Sequence, residues 1–352
     1  MLAQEYHARG RRKYLMIAAG AVLTLLAAYV FTTLGMKEAG PFQTVDAIAR
    51  YFDGTIAMGA DAAMNKIILL LRLPRVLLAA GVGMGLALSG ILMQAIFRNP
   101  MADPYIMGIS SGASLGAACA VFLGIGSAFG AGSIGVGAFV GAAALSAVIV
   151  AAAGQVQRDV SYFLIFGIAI GAVCSGITGV LIYFGANSTG MDVTLYWLMG
   201  SIAAAKLPWV LTLLAVVAVM LGFFMTQTRI LNLLLAGEET AIPLGRPLLP
   251  FVRLYLLLNA LLVGCIVMNA GLIGFIGLLV PHFVRMLTGA DHRRLVPVAV
   301  LIGGLAAVWA DILGRVLVPG VDVPLGVMLA LLGAPAFVVL LMRRAYRFGG
   351  AG

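Results

Sequence analysis

The sequence is poor in charged residues, in cysteine and in histidine. Only 10% of its 352 residues are charged, against about 25% in soluble domains, which excludes a soluble globular protein. Cys119, Cys174 and Cys265 each stand alone within an apolar stretch, so neither a disulfide framework nor a zinc-type spacing is present. Three separate histidines form no metal-binding motif, and no catalytic Ser-His-Asp set or carboxylate pair is recognisable. The sequence therefore predicts no catalytic residue, no metal site and no cofactor held by this chain.

A Gly-Lys dipeptide is also absent, because no lysine in the chain follows a glycine. A P-loop nucleotide site requires Gly-Lys followed by Ser or Thr, so this chain lacks that site. The stretch Gly130–Gly135 matches Gly-x-Gly-x-x-Gly, but it opens an apolar run with no preceding strand, and the dinucleotide-binding interpretation fails. If ATP drives this protein, a separate ATPase must bind it.

What the chain does contain is apolar residues, which make up 62% of it, together with 45 glycines. Spanning helices need roughly 20 apolar residues each, and small residues let such helices pack closely. We predict an all-α polytopic membrane protein with about ten transmembrane helices, forming a single domain over residues 1–352. The predicted spans lie near 14–35, 76–97, 105–125, 131–153, 162–185, 206–227, 251–270, 272–288, 295–314 and 324–342.

The net charge of +9 comes from basic residues at the ends of apolar segments. This placement is typical of topology determinants, not of a nucleic-acid-binding face. With the N-terminus inside, ten spans place fifteen of the 22 lysines and arginines on the inner side. The positive-inside rule therefore predicts that both termini are cytoplasmic.

A polar segment, Leu235–Arg246, interrupts the apolar runs about two thirds of the way along the chain. Glu238 and Glu239 suit the N-terminus of a short helix, and Gly245 suits its end. The segment is either a solvated connector or a short helix that docks on a partner protein, and we favour the partner-docking helix.

Three arginines, Arg72, Arg75 and Arg315, fall on the predicted outer side, against the general charge bias. They could contact lipid phosphates, or they could dock acidic residues of an external partner. Arg315 follows Asp311 by four residues, so an ion pair along one helix face is also expected.

The stretch Asn99–Pro104 follows the second span at the inner side. Its two prolines block a continuous helix, and the stretch is either a tight connection or a constriction of a pathway narrowed by Asn99 and Met101. His282 lies near the inner end of its span, where we expect a structural hydrogen bond.

Further motifs occur in order along the chain: Arg72-Leu-Pro-Arg75, Leu88-Ser-Gly-Ile-Leu-Met-Gln94, Asn99-Pro-Met-Ala-Asp-Pro104, Gly108-Ile-Ser-Ser-Gly-Ala113, Trp197-Leu-Met-Gly200, Gly274-Phe-Ile-Gly-Leu278, Pro281-His282, Asp291-His-Arg293, Ala310-Asp311, Pro324-Leu-Gly-Val327 and Gly333-Ala-Pro335. With these motifs, nearly the whole chain resembles the FecCD permease family. That family comprises the membrane subunits of type II ABC importers for iron–siderophores, haem and cobalamin.

The resemblance implies a homodimer with a central translocation pathway in a prokaryotic inner membrane. It also implies two cytoplasmic ATPase subunits, which bind ATP and magnesium, and an extracytoplasmic substrate-binding protein. We further expect membrane lipid around the dimer and no nucleic-acid partner. The residues implied for ATPase coupling are Gly237, Glu238, Glu239, Thr240, Ala241, Leu244, Gly245 and Arg246. Those implied for docking of the binding protein are Arg72, Arg75 and Arg315. Those implied for a cytoplasmic gate are Asn99, Pro100, Met101, Val160 and Ser161.

The substrate is less sharply indicated than the family. A ferric siderophore is favoured because much of the family carries iron chelates, and haem and cobalamin are the alternatives. The competing function is a secondary transporter driven by an ion gradient, which usually needs carboxylates or broken helices near the membrane midplane. A membrane scaffold or lipid enzyme would leave the polar segment unexplained.

Overall fold

The computed structural model describes residues 22, 26, 43–53, 62–155, 161–185, 188–237, 248–318 and 321–348. These residues form helices joined by turns and loops, and no strand occurs among them. The predicted all-α class is confirmed. The predicted first span, 14–35, lies outside the described residues, apart from Val22 and Leu26.

The α-helices, in chain order, are α1 (Gln43–Phe52), α2 (Ala62–Ile67), α3 (Leu73–Ile96), α4 (Ile109–Phe122), α5 (Ser133–Gln155), α6 (Ser161–Phe184), α7 (Ser188–Leu198), α8 (Leu207–Thr226), α9 (Thr228–Ala236), α10 (Leu249–Ala270), α11 (Ile276–Thr288), α12 (His292–Val316) and α13 (Leu325–Phe348). A π-helical turn, Ile68–Arg72, joins α2 to α3, and a 3₁₀ helix, Ser127–Gly132, precedes α5.

Six segments of the described chain are long and apolar enough to cross a membrane: Ala62–Ile96, Ser133–Ala152, Ser161–Phe184, Leu207–Thr226, Leu249–Ala270 and His292–Val316. The shorter apolar helices Ile109–Phe122, Ile276–Thr288 and Leu325–Leu340 occupy the remaining predicted positions. Each predicted span after the first therefore has a helix at its place.

Three predicted boundaries need correction. The second span does not begin beside Pro74, because the helix runs back to Ala62 through the π-helical turn. Pro74 has no N–H to donate and its ring crowds the preceding turn, which accounts for the widened π geometry there. The third span is shorter than 105–125, since Gly108 is left-handed, with φ of +72°, and α4 starts after it. The eighth starts at Ile276 because residues 271–274 are not helical.

Helix α3 is the centre of the bundle. It packs against α8, α9, α10, α11 and α12, and almost all of its residues from Leu78 to Ile96 are buried. A helix that is apolar on every side is suited to such a position. The other helices are arranged around α3, so the two ends of α3 are convenient references for the two ends of the molecule.

Close helix contacts depend on glycine. A Cβ atom at Gly83 would collide with the carbonyl of Gly303 in α12, and one at Gly90 would collide with the carbonyl of Gly277 in α11. Gly135, the last residue of the Gly130–Gly135 stretch, lies against the backbone of Met268. Close approach of backbones is the usual role of small residues between membrane helices, and the general prediction that small residues let these helices pack closely is confirmed.

Candidate functional site

The contacts between α3 and α12 define two ends of the bundle. Gly83 meets Gly303, whereas Arg75 meets Asp311, so the residue numbers run in opposite directions and the helices are antiparallel. We call the end with Arg75 the Arg75 end. The opposite end, where the chain leaves α3 towards Asn99, is the Asn99 end. The charge bias of the sequence predicts that the Asn99 end faces the cytoplasm.

At the Arg75 end, one guanidinium group is held by two carboxylates. Arg75 Nη2 lies 2.7 Å from Asp311 Oδ1, and Nε lies 3.1 Å from both oxygens of Asp311. The Nη1 and Nη2 atoms of Arg75 donate to Asp322 over 2.6 and 2.7 Å. Forked, charge-assisted bonds of this kind are the strong ones. Together they join the start of α3, the end of α12 and the loop before α13.

The Asp311 carboxylate is fully buried, and the Arg75 side chain is 12% exposed. The sequence predicted that Asp311 pairs with Arg315, one turn further along α12. The Asp311 carboxylate also accepts hydrogen bonds from Arg75, across the helix interface, and the positive charge of Arg315 lies nearby. A carboxylate in this position requires a partner, since removing one member of a buried ion pair costs about 3–5 kcal/mol.

Arg72 and Arg315 complete the cluster at the Arg75 end. Arg72 is buried in the π-helical turn, with 6% of its surface exposed, and Arg315 is half-buried in the last turn of α12. Arg315 lies within electrostatic range of both Arg72 and Arg75. The structure therefore brings together the three arginines that the sequence singled out, and Arg75 among them is bound by carboxylates of this same chain.

Asp322 is a member of this cluster that the sequence did not reveal. Its position in a short loop before the Pro324-Leu-Gly motif was the available signal, but its partner is 247 residues away. The hydrogen bond from Arg75 lowers the pKa of Asp322 despite partial burial, so this carboxylate is charged at neutral pH.

At the Asn99 end, the predicted gate residues form a compact turn. The side-chain oxygen of Asn99 accepts the N–H of Met101 over 2.9 Å, and its carbonyl accepts the N–H of Ala102 over 3.0 Å. Asx turns of this kind replace the backbone bonds that proline interrupts. Pro100 and Met101 are exposed at the tip. The predicted tight connection is thus present.

Asp103 fixes the return of this turn into the bundle. Its carboxylate accepts the N–H of Tyr105 over 2.9 Å. Burial raises the pKa of Asp103, while this hydrogen bond opposes the rise. The turn is therefore braced on both sides of its exposed tip.

A cavity of about 210 Å³ lies beside the turn. Its walls come from α3, the turn, α9 and α11, and the lining residues are Gln94, Arg98, Pro100, Leu235, His282 and Arg285. The amide of Gln94 donates to the carbonyl of Leu278 over 3.2 Å, which fixes α11 against α3. From the sequence we predicted only a bracing role for His282 and assigned no role to Gln94, Arg98 or Arg285, because nothing local indicates that they lie together.

The same cavity connects the predicted gate to the predicted coupling segment. Leu235 lines it, and a Cβ atom at Gly237 would lie 2.9 Å from Nη1 of Arg98. Gly237 has φ of +96° and ends α9, a positive φ that glycine adopts without steric cost. Helix α9 itself was not predicted from the sequence.

Several predicted residues lie outside the described residues. They are Val160 of the gate, and Glu238, Glu239, Thr240, Ala241, Leu244, Gly245 and Arg246 of the coupling segment. Ser161, the other gate residue near Val160, is the first residue of α6 and is exposed.

Asn232 links α9 to α12 at the Asn99 end. Its amide nitrogen donates to Asp291 Oδ1 over 3.0 Å, and its oxygen accepts the N–H of His292 over 3.0 Å. Asp291 is the N-cap of α12 and also accepts the N–H of Arg293. Burial tends to raise the pKa of Asp291, but the Asn232 bond, the Arg293 N–H and nearby positive charge lower it overall. The last helix before the coupling segment is thus bound to the start of α12.

The sequence profile of the FecCD transport family matches residues 21–343 of this chain. The hemin transport system permease protein HmuU of Yersinia pestis is 41% identical over 290 residues, which cover 82% of this chain and 86% of that protein. The vitamin B12 import system permease protein BtuC of Salmonella typhi is 38% identical over 277 residues, covering 78% and 83%.

Two solved structures have a fold similar to that of this chain. The fold matches a structure described as an inward-facing conformation of an ABC transporter of metal-chelate type, with a TM-score of 0.81 and 28% identity. The match covers 93% of this chain and 98% of that one. PsaBC from Streptococcus pneumoniae shares the fold with a TM-score of 0.53 at 20% identity, over 83% of this chain and 94% of that one.

Proposed function

The chain belongs to the FecCD transport family, and we propose that it is the membrane-spanning permease subunit of an ABC importer that takes up a metal chelate. It is a transport subunit and works as a homodimer with two ATPase subunits and a substrate-binding protein. Our proposed topology has both termini in the cytoplasm and the Asn99 end on the ATPase side of a prokaryotic inner membrane.

The observation that carries the proposal is the contact between the gate turn and the coupling segment at one end of the bundle. Leu235 shares a cavity with Pro100, and Gly237 adjoins Arg98. An ATP-driven permease must transmit a movement of its ATPase to a gate. Here the two elements are neighbours, so a displacement of one acts directly on the other.

The coupling segment, Leu235–Arg246, begins within the last turn of α9 and is the proposed attachment site for the ATPase. Its sequence offers Glu238, Glu239 and Arg246 for charged contacts and Leu244 for an apolar one. The chain itself has no Gly-Lys phosphate loop, so ATP and magnesium bind to the partner. Movement of this segment pulls on α9 and, through Asn232, on the start of α12.

Helix α12 provides a route from the ATPase side to the outer face. It has 25 residues, and at 1.5 Å per residue it spans about 37 Å. Its start is bound to α9, and Asp311 and Arg315 lie near its other end. Docking of the binding protein on the Arg75 end therefore acts on the same rigid helix that the coupling segment acts on.

The outer docking surface is formed by Arg72 and Arg315 around the Arg75 cluster. Positive charge on this face favours acidic partners and speeds their association. In our proposal Arg75 holds the cluster together through Asp311 and Asp322, the half-buried Arg315 faces the partner, and the buried Arg72 adds to the positive potential of this surface.

Ion-coupled secondary transport is less well supported. Every carboxylate among the described residues lies near a helix end or in a loop. In mid-bundle, the buried polar pair Ser89 and Asn259 is neutral and hydrogen-bonded between α3 and α10. A midplane carboxylate, the usual device of ion coupling, is not found in this part of the chain.

For the cargo, we propose a ferric siderophore, with haem and cobalamin as alternatives that the relatives support equally. The test is reconstitution of the chain in liposomes with its ATPase and binding protein. Uptake of each labelled chelate is measured with ATP and with a non-hydrolysable analogue. ATP-dependent uptake of one chelate, matched by tight binding of that chelate to the soluble receptor, supports the proposal. Uptake driven by a proton gradient without ATP would contradict it.

A further inference from the structure

A second, larger cavity of about 680 Å³ lies away from the gate. It is enclosed by the start of α5, by α7, by the start of α8 and by the end of α10. Helix α8 runs parallel to α3, because Gly81 meets Leu214 and Gly85 meets Val217. The start of α8, and the cavity with it, therefore lies towards the Arg75 end.

The walls of this cavity combine aromatic rings, apolar side chains and one charge of each sign. Tyr196, Trp197 and Trp209 supply the rings, and Asp192 and Lys206 supply the charges. Tyrosine and tryptophan are enriched where membrane proteins cross from lipid tails to headgroups. The described lining includes no histidine or cysteine, so it lacks the usual soft ligands for a metal centre.

The two charges are available to a ligand. Asp192 and Lys206 are exposed, and in the part of the chain that the structure describes no ion pair joins them. Lys206 is also the N-cap of α8. The first N–H groups of a helix and the positive end of its dipole favour an anion at that position.

We propose that this cavity binds a phospholipid with an ethanolamine headgroup from the surrounding leaflet. Lys206 and the start of α8 bind the phosphate, and Asp192 binds the primary ammonium group. The acyl chains follow the apolar wall of Trp209 and Met268. The size of the cavity lies within the range of small-molecule sites, and its opposite charges match a zwitterion better than an anion alone.

The test uses native mass spectrometry of the purified dimer with defined amounts of palmitoyl-oleoyl phosphatidylethanolamine. Lys206→Gln and Asp192→Asn remove one charge each at exposed positions, so the fold is retained. Each is expected to weaken binding about tenfold, the loss typical of one charge-assisted hydrogen bond. The matched controls Lys66→Gln and Asp53→Asn are also exposed but do not line the cavity, and should bind as the parent does.

Phosphatidylglycerol and phosphatidylcholine separate the two headgroup contacts. Phosphatidylglycerol lacks the amine, so it should bind more weakly than phosphatidylethanolamine and lose no affinity in Asp192→Asn. Phosphatidylcholine keeps the positive charge but has no N–H to donate, so it should bind more weakly than phosphatidylethanolamine and lose less affinity in Asp192→Asn. Equal binding of all three lipids, or unchanged binding in both variants, would overturn the inference. Displacement of the lipid by a metal chelate would assign the cavity to cargo and overturn it as well. These measurements involve no transport, so their outcome is independent of the proposed function.

Discussion

Asn232 donates its side-chain amide to Asp291 over 3.0 Å, and this bond joins the last helix before the coupling segment to the N-cap of α12. The same side chain accepts the N–H of His292. One amide group thereby holds α9 against the start of α12, at the end of the molecule where we place the ATPase.

Replacement of Asn232 by alanine should uncouple transport from ATP hydrolysis. It removes the hydrogen bonds of Asn232 to Asp291, to the His292 N–H and to the His292 ring Nδ1, each with a net value of about 1 kcal/mol. We expect less chelate transported per ATP hydrolysed, with hydrolysis itself retained. The control is Thr288→Ala, whose hydroxyl donates to a carbonyl of its own helix. An unchanged transport-to-hydrolysis ratio in Asn232→Ala would show that α12 is not the route of coupling.

Loss of Arg75 should destabilise the subunit strongly. Arg75→Ala removes the forked hydrogen bonds of Arg75 to the buried Asp311 carboxylate, and breaking a buried ion pair costs about 3–5 kcal/mol. Arg75→Lys should rescue only part of this, since an ammonium group cannot reproduce the forked geometry. Arg50→Ala breaks a partly exposed pair with Asp46 and should cost less than about 1 kcal/mol. Thermal unfolding in detergent measures all three. Equal stability of Arg75→Ala and Arg50→Ala would contradict the structural role of Arg75.

The position of most helices could be predicted from sequence, because hydropathy reports length and burial directly. The partners of Arg75 could not. Asp311 and Asp322 lie 236 and 247 residues from Arg75 along the chain. The spacing of charges along the sequence indicated only Arg315 as a partner of Asp311. Helix α9 was missed because its nine residues lie at the edge of a polar segment. The start at Ala62 was missed because Pro74 is a normal sign of a helix start, and a π-helical turn leaves no mark in hydropathy.

Asp322 gives the Arg75 cluster a defined dependence on pH. Its pKa is lowered in the folded protein by Arg75, so its contribution to stability is complete above the unfolded value of about 3.9. The contribution is lost as the pH falls through the lower, folded value. The difference in melting temperature between the parent and Asp322→Asn should thus be constant from about pH 8 to pH 5 and shrink below about pH 4. A difference that disappears near pH 6 would point to a different titrating group.

Charge removal at Arg72 and Arg315 should slow docking of the binding protein. Arg315→Glu and Arg72→Gln reduce the positive potential of the Arg75 end, and the effect on association should be greatest at low ionic strength. The glutamine is chosen because Arg72 is buried. Lys66→Glu changes an exposed charge outside the cluster and serves as the control. Association rates measured by surface plasmon resonance between 20 and 500 mM salt give the answer. Rates that do not differ from the control at any salt concentration would remove Arg72 and Arg315 from the docking surface.

The coupling segment itself gives the most direct test of how the protein is driven. Replacing residues 238–246 by a Gly/Ser sequence of equal length removes Glu238, Glu239, Leu244 and Arg246, while α9 and its bond to α12 remain in place. We expect the ATPase subunits to be lost from detergent pull-downs and uptake to stop. The thermal stability of the permease should change little, because the exchange spares the buried helix contacts around α3. Asn232→Ala provides the complementary case, since its ATPase should remain bound while its transport yield falls. If the Gly/Ser variant retains both its ATPase and substrate-stimulated hydrolysis, this segment is a simple connector and the ATPase must bind elsewhere on the chain.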